Sequence, residues 1–363
     1  MKQAVFAAGL ALLALASPAR AQQPAPDRNC TDDRGVDRCA AEQQRRTRDI
    51  YGVRTIEEHA AAGDQVRRVF YVDGYGRDVV LISLIRAPGH DPMAYVHFPR
   101  RAGERPREPF EAPVPQAVWE EMLRRSASFD RSYAPRPPAP PRTDGQQEVS
   151  ICLHSWVYTI EGNDPERRAS AERASLRRKT EDACDDGPGE TFAWDLQTAA
   201  LPLFPACAAL DSRQHRNPAS QLADCAILSG DRLAAAAVMN RLDLIRRASR
   251  PSDSAILAGL FNFRLRVDWQ GTEYVSRDAR PQDIWLERMA ADGAQGLYYD
   301  SIEGLSADRV RVRGSLHRSV ERQQGQGYIY SRAPVEMIWT FTTVREFQVE
   351  SVTVGPWAVQ RGG

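Results

Sequence analysis

Lysine is all but missing from this chain of 363 residues: Lys2 and Lys179 are the only two. Positive charge rests on arginine, whose planar fork suits bidentate pairing, although a coding bias toward arginine accounts for the skew without any special use. Net charge is missing as well, since 48 basic side chains face 48 acidic ones. That balance removes any global attraction to nucleic acid or to an anionic membrane surface. Beyond the first 21 residues no apolar run reaches the length that spans a bilayer, so no transmembrane segment is expected. No Cys-x-x-Cys occurs, which leaves out a dithiol redox motif and a zinc knuckle. No Gly-x-Ser-x-Gly elbow occurs, and nothing calls for a cofactor. Metal ligands are equally thin. His90, in the turn Gly89-His90-Asp91-Pro92, and His97 lack a third ligand, while Asp32, Asp33 and Asp37 lack the glycine and glutamate spacing of a calcium loop. His154 and Ser155 are strand neighbours that point to opposite faces, so they form no nucleophile–base pair.

What is present begins with a leader. Lys2 supplies a basic start, residues 4–16 a short apolar stretch, and Ala19-Arg20-Ala21 a small-x-small cleavage site before Gln22. These are the three parts of a secretory signal peptide, cleaved after Ala21, and they imply a periplasmic or secreted protein. Six cysteines follow: Cys30, Cys39, Cys152, Cys184, Cys207 and Cys225. An even number in an exported chain reads as three disulfides. Nearest-neighbour pairing (Cys30–Cys39, Cys152–Cys184, Cys207–Cys225) is the simplest of the connectivities open to them, each bridge worth roughly 2–4 kcal/mol.

The order of segments predicts an N-terminal arm over 22–64, with a helix from Ala40 to about Ile50, and an α+β region over 65–228. In that region Val69–Val72 and Val79–Ile85 flank Asp73-Gly74-Tyr75-Gly76 as a hairpin, and Met93–Phe98 adds a third strand. Val118, Trp119, Met122, Leu123 and Ser126 mark one face of a helix after Pro115. Residues 134–145 are proline-rich and extended, and a strand returns over Val149–Ile160. Asp164-Pro165 then reads as the start of a solvated helix reaching Cys184.

Residues 229–363 form a separate module in this reading. A helix after Asp231 carries Ala235, Val238, Met239, Leu242 and Ile245; a second after Pro251-Ser252 carries Ile256, Leu257, Leu260 and Phe261. A hairpin turns at Trp269-Gln270-Gly271-Thr272, Pro281 opens a third helix, and four strands follow near 296–303, 308–320, 334–343 and 345–356. Helix, helix, hairpin, helix, four strands resembles the nuclear transport factor 2-like fold, a cone-shaped α+β sheet wrapped around helices. The whole chain is thus expected to be α+β: antiparallel sheets packed against helices, ending in a curved sheet with three helices, stapled by disulfides.

That resemblance implies a chamber inside the cone. Phe261, Trp285, Tyr298, Met337 and Trp339 are its candidate wall, facing a small apolar ligand. Enzymes of the family keep a carboxylate base and a phenol or protonated acid there; Asp268, Tyr298, Tyr299 and Asp300 are the nearby candidates here, and none matches the family pattern. The strand from Arg309 alternates cleanly, placing Arg309, Arg311, Arg313 and His317 on one face. That face is a candidate surface for a protein partner or for a homodimer through the C-terminal sheet. The function expected is therefore a non-catalytic ligand-binding or protein-interaction accessory protein of the bacterial envelope. The alternative is a cyclase, isomerase or dehydratase with its site inside the cone.

Overall fold

The computed structural model describes residues 40–100, 107–131, 155–165, 176–183, 187–215, 217–248, 251–276, 280–321 and 328–360. The leader, the acidic loop, the proline-rich stretch, His154, Cys30, Cys39, Cys152 and Cys184 lie outside them. The fold is α+β, two sheets packed against helices.

Helix α1 (Ala40–Arg46) continues into a π-helical turn, Thr47–Tyr51, closed by Gly52 at φ 67°. Glycine is favoured there by the left-handed backbone, and a Cβ would also displace the Arg100 guanidinium, the movable end of a long side chain. Helix α2 (Ile56–Ala62) opens on a reciprocal capping box between Thr55 and Glu58. Strands β1 (Gln65–Val72), β2 (Asp78–Arg86), β3 (Met93–His97) and β4 (Phe110–Pro113) follow. Next come helix α3 (Gln116–Arg131), β5 (Val157–Asn163) and β6 (Leu176–Asp182). They make a six-stranded antiparallel sheet in the order β4-β3-β2-β1-β5-β6. The helix expected to run from Asp164 to Cys184 is therefore wrong at its C-terminal end. Residues 176–182 are instead a strand paired along β5, where Arg178 stands opposite Glu161 and Lys179 pairs with Glu181 of its own strand.

Helix α4 (Pro188–Ala200) covers one face of that sheet, and α5 (Pro205–Ala208) and α6 (Pro218–Cys225) continue the layer. The Cys207–Cys225 disulfide joins these last two, Cα to Cα 5.3 Å. The second sheet then assembles from β7 (Leu228–Gly230), α7 (Arg232–Arg247), β8 (Phe261–Trp269), β9 (Thr272–Val275) and α8 (Pro281–Ala291). It is completed by β10 (Gly296–Ser306), β11 (Arg309–Glu321), β12 (Tyr328–Phe341), β13 (Phe347–Val354) and β14 (Ala358–Val359). Strand order is β7-β10-β11-β12-β13-β8-β9, with β14 beside β12 and parallel pairs at β7–β10 and β13–β8. The second expected helix of this module is a 3-10 turn, Pro251–Asp253, followed by successive i to i+3 turns. Gly259, at φ 81°, ends the run, and Leu257 and Leu260 are buried from turns and not from a helical face.

One apolar core runs through both sheets, from Val69, Tyr71 and Trp119 to Trp285, Met337 and Trp339. Beyond α8, Asp292 ties three pieces together. Its Oδ2 accepts from Trp269 Nε1 (2.9 Å), Gln270 Nε2 (2.8 Å) and Trp357 Nε1 (2.8 Å). The opposite face of the six-stranded sheet is different in kind. Among the described residues, Tyr51, Phe70 and Leu81 form a small apolar cluster there, with Ile50 and Val53 packed against it. Beside them runs a buried charged row in which Glu161 accepts from both Arg68 and Arg178, and Arg178 reaches on to Glu57 of α2 at 2.9 Å. Arg68, Glu161 and Arg178 are at most 1% exposed.

Candidate functional site

The interior of the eight-stranded sheet is packed with aromatic rings. Phe261 lies 6.4 Å from Trp285, centroid to centroid, and Trp269 lies 5.9 Å from it on another side. Phe261, Trp285, Met337 and Trp339 are all buried in this layer. The indole N–H groups of Trp285 and Trp339 are buried without a hydrogen-bond partner. Tyr298 is not among them: it is 59% exposed on the outer face. The alternation that buries Leu297 opposite Leu316 sends Tyr298 outward and Tyr299 inward. Burial raises the pKa of the Tyr299 phenol; nearby Arg246 opposes that, and Asp224 and Asp243 add to it. Asp268 accepts from Gly271 N–H at 2.9 Å in the hairpin turn, and Asp300 is exposed on β10. The acid–base candidates therefore do not converge in the interior.

The outer face divides into two halves. In the first, each arginine has a carboxylate beside it. Arg309 is 3.5 Å from Glu350, Arg311 is 3.3 Å from Glu303, and Arg313 is 2.9 Å from Glu336. The last two are direct cross-strand neighbours, so this half is a lattice of paired charges.

The second half, toward the start of β12, is aromatic. Tyr328 and Tyr330 are 55% and 56% exposed, with ring centroids 6.4 Å apart. Arg332 and Pro334 follow at alternate positions on the same strand face. Across the ladder from Arg332 stands His317, whose ring lies 4.4 Å from that of Tyr298. Two residues assigned separately from the sequence, one to a chamber wall and one to a charged face, thus meet on the outer surface. Tyr328 and Tyr330 were missed by starting the strand at 334; the same period-two pattern, followed back through Arg332, finds them.

His317 is held by two bonds. Its Nε2 is 2.9 Å from Ser315 Oγ, and its Nδ1 accepts from Arg332 Nε at 3.5 Å. A guanidinium nitrogen only donates, so Nδ1 is the acceptor and Nε2 keeps the proton and gives it to Ser315 Oγ. In that tautomer His317 cannot take the serine proton, and the pair is not a nucleophile with its base. Partial burial and then Arg332 lower the His317 pKa, against an opposing pull from Asp300.

No group of three or more His, Cys, Asp or Glu residues able to hold a metal is found among the described residues, and no described helix is long and apolar enough to cross a membrane. No family model and no curated protein matches the chain. Solved structures do. A conserved protein from Planctomyces limnophilus DSM 3776 is 13% identical, covering 34% of this chain and 95% of that one, with a TM-score of 0.27. The hexachlorocyclohexane dehydrochlorinase LinA-type3 from Novosphingobium barchaimii LL02 is 15% identical over 37% of this chain and 94% of its own, TM-score 0.28. A ketosteroid isomerase-like protein from Erwinia carotovora atroseptica SCRI1043 is 11% identical over 33% and 90%, TM-score 0.25. Each likeness spans about a third of this chain.

Proposed function

We propose that this chain is a non-catalytic interaction protein of an oxidising, exported compartment, and that it docks a protein partner on the aromatic half of its outer sheet face. The observation that carries the reading is the make-up of that half: Tyr298, Tyr328 and Tyr330 exposed around Arg332 and His317. Tyrosine and arginine are enriched where protein interfaces bury their centres. The adjoining half offers no such anchor, because its arginines are already paired. Export is supported by the Cys207–Cys225 bridge and by the leader read from residues 1–21. A second copy of the chain on this face would be the homodimeric form of the same docking.

A second reading, a small ligand or a cyclase, isomerase or dehydratase site inside the cone, is favoured by one observation. The unpartnered indole N–H groups of Trp285 and Trp339 would welcome a hydrogen-bond acceptor carried by an otherwise apolar molecule. The docking reading is preferred because Asp268 and Asp300 stand outside that interior.

The test is a photo-crosslinking amino acid placed at Tyr298 or Tyr330 in the producing cell, with Tyr75 at an exposed hairpin tip as the control. One adduct of defined mass is expected from the first two positions and none from Tyr75. Adducts from none of them, or equally from Tyr75, would sink the docking reading.

A further inference from the structure

We propose that Arg332, His317, Ser315 and Tyr298 form a receptor for a carboxylate side chain on an acidic segment of the protein partner. The inference rests on the docking reading above and names what the docked segment carries. Its basis is what the four side chains leave unused. Arg332 spends Nε on His317 Nδ1, and no carboxylate among the described residues lies within ion-pair distance of its two η nitrogens. These present the parallel pair of N–H donors that a carboxylate takes bidentately. Ser315 Oγ accepts from His317 Nε2, which leaves the serine O–H free to donate. The exposed Tyr298 hydroxyl, beside the His317 ring, is a fourth donor site.

The charges around this cluster do not fill it. On β11, Arg313 is occupied by Glu336 of β12. On β10, Asp300 faces His317 electrostatically but forms no ion pair with His317 or Arg332 within contact distance. Glu321, at the exposed end of β11, stands opposite Tyr328 and four pairs along the ladder from Arg332. Arg309, Arg311 and Arg313 each have a carboxylate beside them, whereas Arg332 has none among the described residues, and it lies where the tyrosines are. A docked carboxylate also opposes the two effects that hold His317 neutral, its burial being offset by a new anion and the Arg332 charge being compensated.

The experiment follows the His317 ring C–H resonances of the whole protein by NMR across a pH titration, with triglutamate as probe and triglutamine as control. Triglutamate is expected to move the His317 midpoint upward and triglutamine to leave it in place. Arg332→Gln is expected to weaken the triglutamate effect roughly tenfold or more, the scale of losing one charge-assisted bidentate contact. Arg313→Gln, whose arginine is already paired, is expected to retain it. An absent triglutamate effect, or one that survives in Arg332→Gln, overturns the receptor. Inorganic phosphate acting at lower concentration than triglutamate overturns the assignment to an acidic protein segment. If the receptor fails while crosslinking at Tyr330 persists, only the carboxylate falls; if both fail, the docking reading falls with it.

Discussion

Acidification is expected to weaken the fold through one imidazole in particular. His97 lies at the end of β3 on the charged face of the six-stranded sheet, its ring stacked 6.1 Å from Tyr95. Burial first, and then the charges of Arg68 and His59, press its pKa from 6.5 down to about 4. The folded protein therefore holds His97 neutral over a range in which the unfolded chain would protonate it. Stability rises with pH wherever the unfolded state binds more protons. The contribution is complete above about pH 6.5 and is lost as pH falls toward 4. Between about pH 7 and pH 4.5 one such group removes about 2 kcal/mol, at 1.36 kcal/mol per pKa unit and with most of the shift traversed. His59 shifts the same way, burial outweighing its bond to Asp64, and adds to the slope. The assay is urea denaturation of the wild type and of His97→Gln at both pH values. Carboxylate effects are common to the two proteins and cancel in the comparison. The variant should lose about 2 kcal/mol less than the wild type over that interval. Equal losses would refute the assignment of a neutral, depressed His97 in the folded state.

Two further substitutions probe the ties between elements. Glu161→Gln leaves Arg68 and Arg178 buried without their shared anion, and thermal unfolding should report a loss of roughly 3–5 kcal/mol; a loss below about 1 kcal/mol would mean that the row relaxes toward water. Asp292→Ala removes the acceptor shared by Trp269, Gln270 and Trp357. It should cost roughly 1–3 kcal/mol and red-shift the tryptophan emission as the C-terminal indole is released, whereas an unchanged spectrum would contradict the tie.

Local chemistry made much of the fold legible. The β1–β2 hairpin follows from two β-branched runs around Asp73-Gly74, and α3 from the spacing of Trp119, Met122 and Ser126, all of which are buried. The failures share a cause, which is distance along the chain. Arg178 and Lys179 sit in a stretch whose composition suits a helix, and the carboxylate that seats Arg178 in the sheet, Glu161, lies on the preceding strand. Ile256, Leu257 and Leu260 have helical spacing, yet Gly259 requires a left-handed backbone between them. Tyr298 and Tyr299 cannot be told apart by alternation until the pairing of Leu297 with Leu316 sets the phase. The outer face was half visible: the arginines were read from alternation, but the carboxylates that neutralise them lie on β10, β12 and after β13 begins, and no pattern within β11 announces them.

The uninterrupted core also has a consequence for time. Tyr71 on β1 donates its phenol to the carbonyl of Ala193 on α4 at 2.6 Å, across 122 positions of sequence. Until that helix has been synthesised, Tyr71 has no acceptor for its hydroxyl, and α6, which packs on β2, arrives later still. Contacts between early strands and later helices are non-local, and such pairings form slowly. The face of the first sheet under α4 is covered only once the chain has been made past its midpoint.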